Sequence, residues 1–431
     1  MSFSPSLSTS TKKIFLALLA LFFFCSQAAF ALIPERRGKQ FDTTSGYLLF
    51  PAPYELPGLG SGLMVVGYWG NILESNADAF AITMQGDVEG YIGSVDELFI
   101  IPEFLYYNRF QMLITSYGIN SYSKRGMDTD KDDYNILVGD KYAQHVDRFV
   151  IPLFDRRLQL ATSRQGGEGR SNKILDAEGD LVVEYDTPQT FEQKGQTNEI
   201  LLDLTDDYGD PRSGLRVSIV EASQDAADTD SPEYSVIDKF ASLYLPMGVN
   251  STWVFHYYTS DASVSRQGNT DLDTLKTNAG YDSCVYASDQ TACEAAVIEN
   301  ATNTQSANRY GTAAALGGTN IMRAYPNGRF QAAHAQVIAT EFRWNILTEH
   351  VSFDWYLLSD VQEAMQVAFF YEQGTVAETK EELGNITRSS YGSGLRLVTG
   401  SGSVYRFDLA TGEEGAQVNL IFQYPWEPGG M

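Results

Sequence analysis

The chain has 431 residues, 43% hydrophobic and 13% aromatic, with 55 acidic against 30 basic side chains and a formal charge of −25 at pH 7. That balance excludes nucleic acid as a partner, because phosphate backbones demand clustered Lys and Arg. After residue 31 no run approaches the ~18 apolar residues of a membrane-spanning helix, yet aromatics abound, with 25 Tyr, 24 Phe and 5 Trp.

In chain order, the first element is a targeting segment. Lys12 and Lys13 precede the apolar run from Ile14 to Cys25, and Ala29 and Ala31 make a small-x-small site. This describes a cleaved secretory signal over residues 1–31, whose apolar part is too short to cross a bilayer. Phe22, Phe23 and Phe24 stand where lipid attachment at Cys25 would need small residues. Cleavage removes two lysines and no acid, taking the charge from −25 to −27. Residues 32–47 read as a short lead-in, 48–426 as one large all-β unit without a linker, and 427–431 as a tail.

Within the β unit, residues 48–196 resist division. "DTDKDDYN" gathers Asp128, Asp130, Asp132 and Asp133, but it lacks the glycine and distal glutamate of a calcium loop, so it reads as a solvated segment. "YGDPRSG" and "PMGVNS" read as short turns on one side, and "SQDAADTDSP" as an acidic loop on the other. Strands are expected near 249–259 and 331–346, separated by one long external segment, 260–330. Cys284 and Cys293 lie in that segment and are the only cysteines beyond Cys25. In an exported protein they suit one disulfide, with two free thiols as the alternative. No histidine lies near them to make a metal site.

The last strands, near 362–374, 388–399, 403–411 and 415–426, show their period most clearly. Met365, Val367, Phe369 and Tyr371 oppose Gln366, Phe370 and Glu372. Tyr405, Phe407 and Leu409 oppose Arg406 and Asp408. Ala416, Val418, Leu420, Phe422 and Tyr424 oppose Gln417, Asn419 and Gln423, and earlier Trp253, Phe255 and Tyr257 oppose His256. Alternation with period two means a strand. A soluble sandwich also alternates, but there the apolar face is the buried one and is rarely so aromatic. Segments of ~10 residues with an aromatic face and a charged face predict an antiparallel transmembrane β-barrel, greasy outside and wet within. A closed barrel also satisfies every backbone N–H and C=O, which lipid cannot. The length suits about sixteen strands, with short periplasmic turns and long external loops.

Several motifs, in order, resemble the BamA/TamA-type outer-membrane protein assembly superfamily. They are "LLFPAPYELPGLGSG", "DPRSGLRV", the glycine-rich loop "LGGTNIMRAY", the strand "FFYEQGTV", then "YGSGLRL" and "VYRFDLA", with Trp426 where a terminal aromatic would stand. The resemblance covers nearly the whole mature chain. Ala324 replaces the usual glycine, which would strain a φ > 0 conformation there, and Glu372 replaces the usual aspartate. The family's periplasmic POTRA modules do not fit in the short stretch before the barrel.

The resemblance implies that the long loop folds back into the lumen and that Arg323 meets Glu372 on the inner wall. The expected lock is Arg323, Glu372, Tyr325, Phe370, Gly317, Gly318 and Gly374, with the adjacent glycines allowing a sharp turn. The bland alternative makes Arg323 an ordinary loop residue. Pro425 cannot donate a ladder hydrogen bond, so beside Trp426 it would weaken the meeting of first and last strands, or merely end the last one.

No G-x-S-x-G occurs, and luminal hydrogen bonding explains His256 and His334 on polar faces, so no enzyme and no cofactor is expected. The functional expectation is insertion or translocation of proteins at the outer membrane of a Gram-negative bacterium. The partners would be membrane lipid, client barrels, or a separate POTRA-bearing or surface partner. The alternative is a POTRA-less structural pore or scaffold without insertase activity.

Overall fold

The computed structural model describes residues 33–37, 45–56, 60–75, 77–226, 229–286, 290–347, 352–355, 358–399, 404–421 and 424–426. The expected signal segment and the tail 427–431 lie outside them. The described strands are β1 (Gly46–Leu56), β2 (Gly60–Gly70), β3 (Asp78–Gly86), β4 (Glu89–Ile101), β5 (Leu105–Ser121), β6 (Asn135–Leu153), β7 (Leu158–Leu175), β8 (Leu181–Thr205) and β9 (Gly214–Gln224). They continue with β10 (Glu233–Pro246), β11 (Ser251–Arg266), β12 (His334–Leu347), β13 (Ser352–Trp355), β14 (Leu358–Ala377), β15 (Arg388–Thr399), β16 (Val404–Gly412) and β17 (Gly415–Ile421).

Each strand pairs antiparallel with the next from β1 to β12, β12 pairs with β14, and β14 to β17 follow in order. β13 is a short hairpin arm on the start of β14. The wall therefore has sixteen strands and is an all-β antiparallel barrel.

Its closure is incomplete. β1 meets the first residues of β14 through Tyr47↔Ser359 and Leu48↔Leu358. Among the described residues no ladder joins β1 to β17, although the two strands approach each other. Side chains hold this seam instead. Leu420 packs on the apolar cluster of Tyr54, Met64 and Val66, and Phe50 meets the Tyr405 ring edge-on with centroids 6.1 Å apart.

Alternation sorts the two faces. Phe369 is 53% exposed while its neighbour Phe370 is 5% exposed. Trp253, Phe255, Tyr257, Tyr371, Phe407 and Leu409 share the outer face, and Glu341, Arg396, Arg406, Asp408 and Asn419 are buried on the inner one. A polar interior surrounded by greasy side chains is the arrangement lipid demands.

The long connection between β11 and β12 differs from the expected loop. It contains two helices, α1 (Leu272–Asn278) and α2 (Gln290–Tyr310). Asp271 caps α1 by accepting from the Asp273 and Thr274 amides at 2.9 and 3.1 Å, satisfying donors that a helix start leaves unpaired. Cys284 is disulfide-bonded to Cys293 in the first turn of α2, with Cα atoms 5.5 Å apart. The flanking strands also differ from expectation. β11 runs to Arg266 and β12 begins at His334.

Candidate functional site

The last third of the chain builds a charged inner wall. Period two carries Glu341, Arg343 and Asn345 of β12 inward, with Gln366, Phe370 and Glu372 of β14, Ser390 and Arg396 of β15, Arg406 and Asp408 of β16, and Asn419 of β17. β12 is narrow at its upper end, where Ala335 and Ala339 leave room for another segment. That segment is the stretch after α2. Leu316 and Phe330 exchange backbone bonds of 2.8 and 3.0 Å, and Gly318 donates to the Tyr325 carbonyl at 2.9 Å. The resulting hairpin lies against the wall, with Leu316, Met322, Tyr325 and Phe330 buried in one apolar cluster with Val337, Ala339 and Phe370.

Arg323 is the tip, fully buried. Its amide donates to Glu372 Oε2 at 2.8 Å and its Nε to Glu372 Oε1 at 3.1 Å. Nη1 donates to Asp408 Oδ2 at 2.8 Å and to Glu341 Oε2 at 3.2 Å. The guanidinium carbon lies 3.4 Å from the centre of the Phe370 ring, a cation–π contact strengthened by exclusion of water. The arginine thus joins β12, β14 and β16 at one point. Asn419 of β17 adds a fourth strand by donating to the Arg323 carbonyl at 3.0 Å.

The supporting charges are shared. Glu341 also accepts from Arg343 Nε at 2.8 Å and Arg396 Nη1 at 2.6 Å. Arg406 donates to the Thr319 carbonyl at 2.5 Å, holding the loop's flank. Four guanidiniums, Arg323, Arg343, Arg396 and Arg406, face three carboxylates, Glu341, Glu372 and Asp408, all nearly fully buried. Assembling such a cluster costs desolvation, so its net stabilisation is small. Removing one member leaves an unpaired buried charge, which costs about 3–5 kcal/mol. The network therefore specifies where the loop sits more than it stabilises the barrel.

The glycines have distinct reasons. Gly317 has φ +112°, where a Cβ would stand 2.1 Å from the Pro326 carbonyl, and Gly318 has the same φ. Gly374 on β14 lets the loop press close, since a Cβ there would meet Met322 Sδ and Leu316 Cδ1 at 2.9 Å. Ala324 is not in the left-handed region. Met322 takes that conformation instead, at φ 53°, so the expected strain moves two residues back. The Ala324 amide donates to Ser390 Oγ at 3.0 Å. The Tyr325 hydroxyl donates to the Ser389 carbonyl at 2.9 Å and also contacts the Glu413 carboxylate.

Pro425 and Trp426 correct the expected terminal strand. Among the described residues the ladder of β17 runs to Ile421, and Tyr424, Pro425 and Trp426 form a buried turn inside the barrel. Trp426 Nε1 donates to Glu372 Oε1 at 3.1 Å, and its ring stacks on His256 at 4.9 Å. His256 in turn bonds Ser242 Oγ at 2.8 Å. Tyr424, expected on the lipid face, is 2% exposed and lies under the Arg343 guanidinium at 4.2 Å. The reason is chemical: the Trp N–H finds its acceptor in the lumen, where Glu372 already stands.

Two arginine forks were not anticipated. Arg125, in the β5–β6 connection, grips Glu378 at 2.5 and 2.9 Å and the Gly311 carbonyl at 2.8 Å. Arg329 grips Glu414 at 2.9 and 2.7 Å and the Thr129 carbonyl at 2.8 Å. Bidentate forks of this kind fix geometry as well as adding energy. Together they fasten the base of the luminal loop to three connections at the long-loop end. The acids of "DTDKDDYN" belong to the same connection. Asp128, Asp130 and Asp132 are exposed, and Asp133 pairs with Lys124 at 2.7 Å.

No protein-family model matches the chain, and no curated protein does. Among solved structures it is similar to BamA from Haemophilus ducreyi lacking POTRA domains 1–3, at 9% identity and TM-score 0.45, over 88% of this chain and 69% of that one. It is also similar to CdiB from Escherichia coli, at 10% identity and TM-score 0.47, over 88% of this chain and 60% of that one. The chain spans less than two thirds of the CdiB chain it matches.

Proposed function

We propose that this protein is an integral outer-membrane barrel that inserts or translocates other proteins, with the seam between β1 and β17 as its working edge. The observation that carries the reading is the missing ladder. β1 makes eleven register pairs with β2, while among the described residues β17 offers it none. In lipid an unpaired backbone group costs several kcal/mol, so parting any other neighbours is prohibitive and parting these two is cheap. An unpaired edge templates an incoming strand, which is β-augmentation put to work.

In this reading the short-turn end faces the periplasm and the long-loop end faces outward. Lipid surrounds the aromatic face, and clients or a separate POTRA-bearing protein approach from the periplasm. The full-length chain in liposomes then speeds the folding of a client barrel, followed by the client's heat-modifiable migration. Ion conductance without faster client folding rejects the reading. It would favour a structural pore or a scaffold for a surface partner, to which the disulfide-stapled helices α1 and α2 at the long-loop end lend support.

A further inference from the structure

The turn between β8 and β9 lies about half-way round the wall from the seam, yet both ends of the described chain reach it. Pro34 to Arg37, ahead of β1, dock there. The Arg37 amide donates to the Asp206 carbonyl at 2.5 Å, and its guanidinium donates to the Asp210 carbonyl at 2.5 Å. That guanidinium lies 3.4, 3.5 and 3.6 Å from the carboxylates of Asp206, Asp207 and Asp210. Arg36 donates to Asp203 Oδ2 at 3.3 Å, and Arg157 of the β6–β7 turn holds the Pro34 carbonyl at 2.8 Å. From the other terminus, beyond β17, the Tyr424 hydroxyl donates to Asp210 Oδ1 at 2.7 Å. Arg212 occupies the remaining Asp210 oxygen at 3.0 and 2.9 Å.

One buried carboxylate therefore touches the segment that leads into β1 and the segment that leaves β17. The contact continues inward. The Tyr424 ring lies under Arg343 and Arg396, both of which bind Glu341, and Glu341 binds Arg323. We propose that Asp210 is the clasp of the seam. It holds Arg37, ahead of β1, and Tyr424, beyond β17, at the short-turn end and couples their position to the luminal arginine cluster. Loosening the clasp lets β1 fray from β2 and β17 fray from β16 more often, opening the seam without dismantling the rest of the wall. Asp210 acts here through other residues, as a positioning group, and the inference does not rest on the insertion reading.

Amide hydrogen exchange of the full chain in a lipid nanodisc tests it, with Tyr424→Phe, Asp210→Asn and the pair Arg36→Gln, Arg37→Gln. Tyr424→Phe keeps the ring under its arginines and deletes one bond. Exchange within 46–56 and 415–421 should rise about tenfold, the scale of one charge-assisted hydrogen bond, and more in Asp210→Asn. Exchange within β9 to β11 and the heat-modifiable folded band should stay as in the parent. A rise confined to residues 206–213, an equal rise in every strand, or no rise at the seam overturns the clasp. If Asp210→Asn does not fold, the Tyr424 and arginine variants decide the matter by the same criteria. Because the readout is seam protection and not client folding, failure of the insertase assay leaves it intact.

Discussion

The clamp and the seam share two strands and are built in opposite ways. On their inner faces β16 and β17 present Arg406, Asp408 and Asn419, all fully buried, to the loop that carries Arg323. On its free edge β17 has no described ladder to β1, only Leu420 against an apolar cluster. Backbone hydrogen bonds normally hold a sheet, and here side chains take over that task at the end of the sheet. A loop pinned to β12, β14, β16 and β17 stiffens the wall without using its edge. The edge can then stay incomplete while the barrel keeps its shape.

The strongest way to break the contrast is to remove the clamp. Arg323→Glu places a fourth carboxylate beside Glu372, Glu341 and Asp408 and should cost at least about 3–5 kcal/mol. The unheated sample should lose its compact band on a gel, and adding Glu372→Arg should recover part of it. An unchanged band in Arg323→Glu alone would show that the clamp is unimportant. A smaller effect is expected from Cys284→Ser with Cys293→Ser. By the loop-entropy scale the bond contributes about 2–3 kcal/mol, and the loss should stay in the α1–α2 cap. Protease nicking of residues 267–310 with an intact barrel core would be the sign, and a lowered barrel melting temperature would count against it.

Trp426→Phe sharpens the comparison from the seam side. Losing the bond to Glu372 should cost about 2 kcal/mol, the middle of the range for a charged acceptor. Denaturant midpoints measure it. In the parent, quenchers attached to lipid tails should leave the emission of Trp426 untouched, which can be read after the other four tryptophans are replaced. The smallest effect belongs to Ser390→Ala, which deletes the Ala324 N–H···Oγ bond and should cost about 1 kcal/mol. A loss as large as that of Arg323→Glu would mean that the loop depends on backbone satisfaction more than on charge.

Parity was legible in β11 and in the last strands, because each residue of a crossing must choose oil or lumen. Phe369 and Phe370 show the limit of that rule. Both are aromatic, and only Glu372 two positions on tells which face is wet. In the second half of residues 48–196 the period is lost for a physical reason. β5, β6, β7 and β8 hold 17, 19, 18 and 25 residues, whereas a crossing needs about 9–11. Residues beyond the length of a crossing have no lipid to face, so "QGGEGRSNK" in β7 has no reason to alternate. Helix α2 escaped notice because its apolar residues form no stripe, and a helix that packs weakly leaves no period to read. Arg125 and Arg329 carry no local signal, since their partners lie 253 and 85 residues away in the chain.

By itself the sequence determined that the last strands alternate and which of their faces is greasy, and motif resemblance pointed to an arginine and a glutamate with glycines around them. These are local properties, written in neighbouring side chains. Tertiary structure alone decided that Arg323 takes three carboxylates instead of one, that Trp426 turns inward, and that Arg37 and Tyr424 converge on Asp210. Buried charge is stable only where several distant groups arrive together, and which ones arrive depends on how sixteen strands curl.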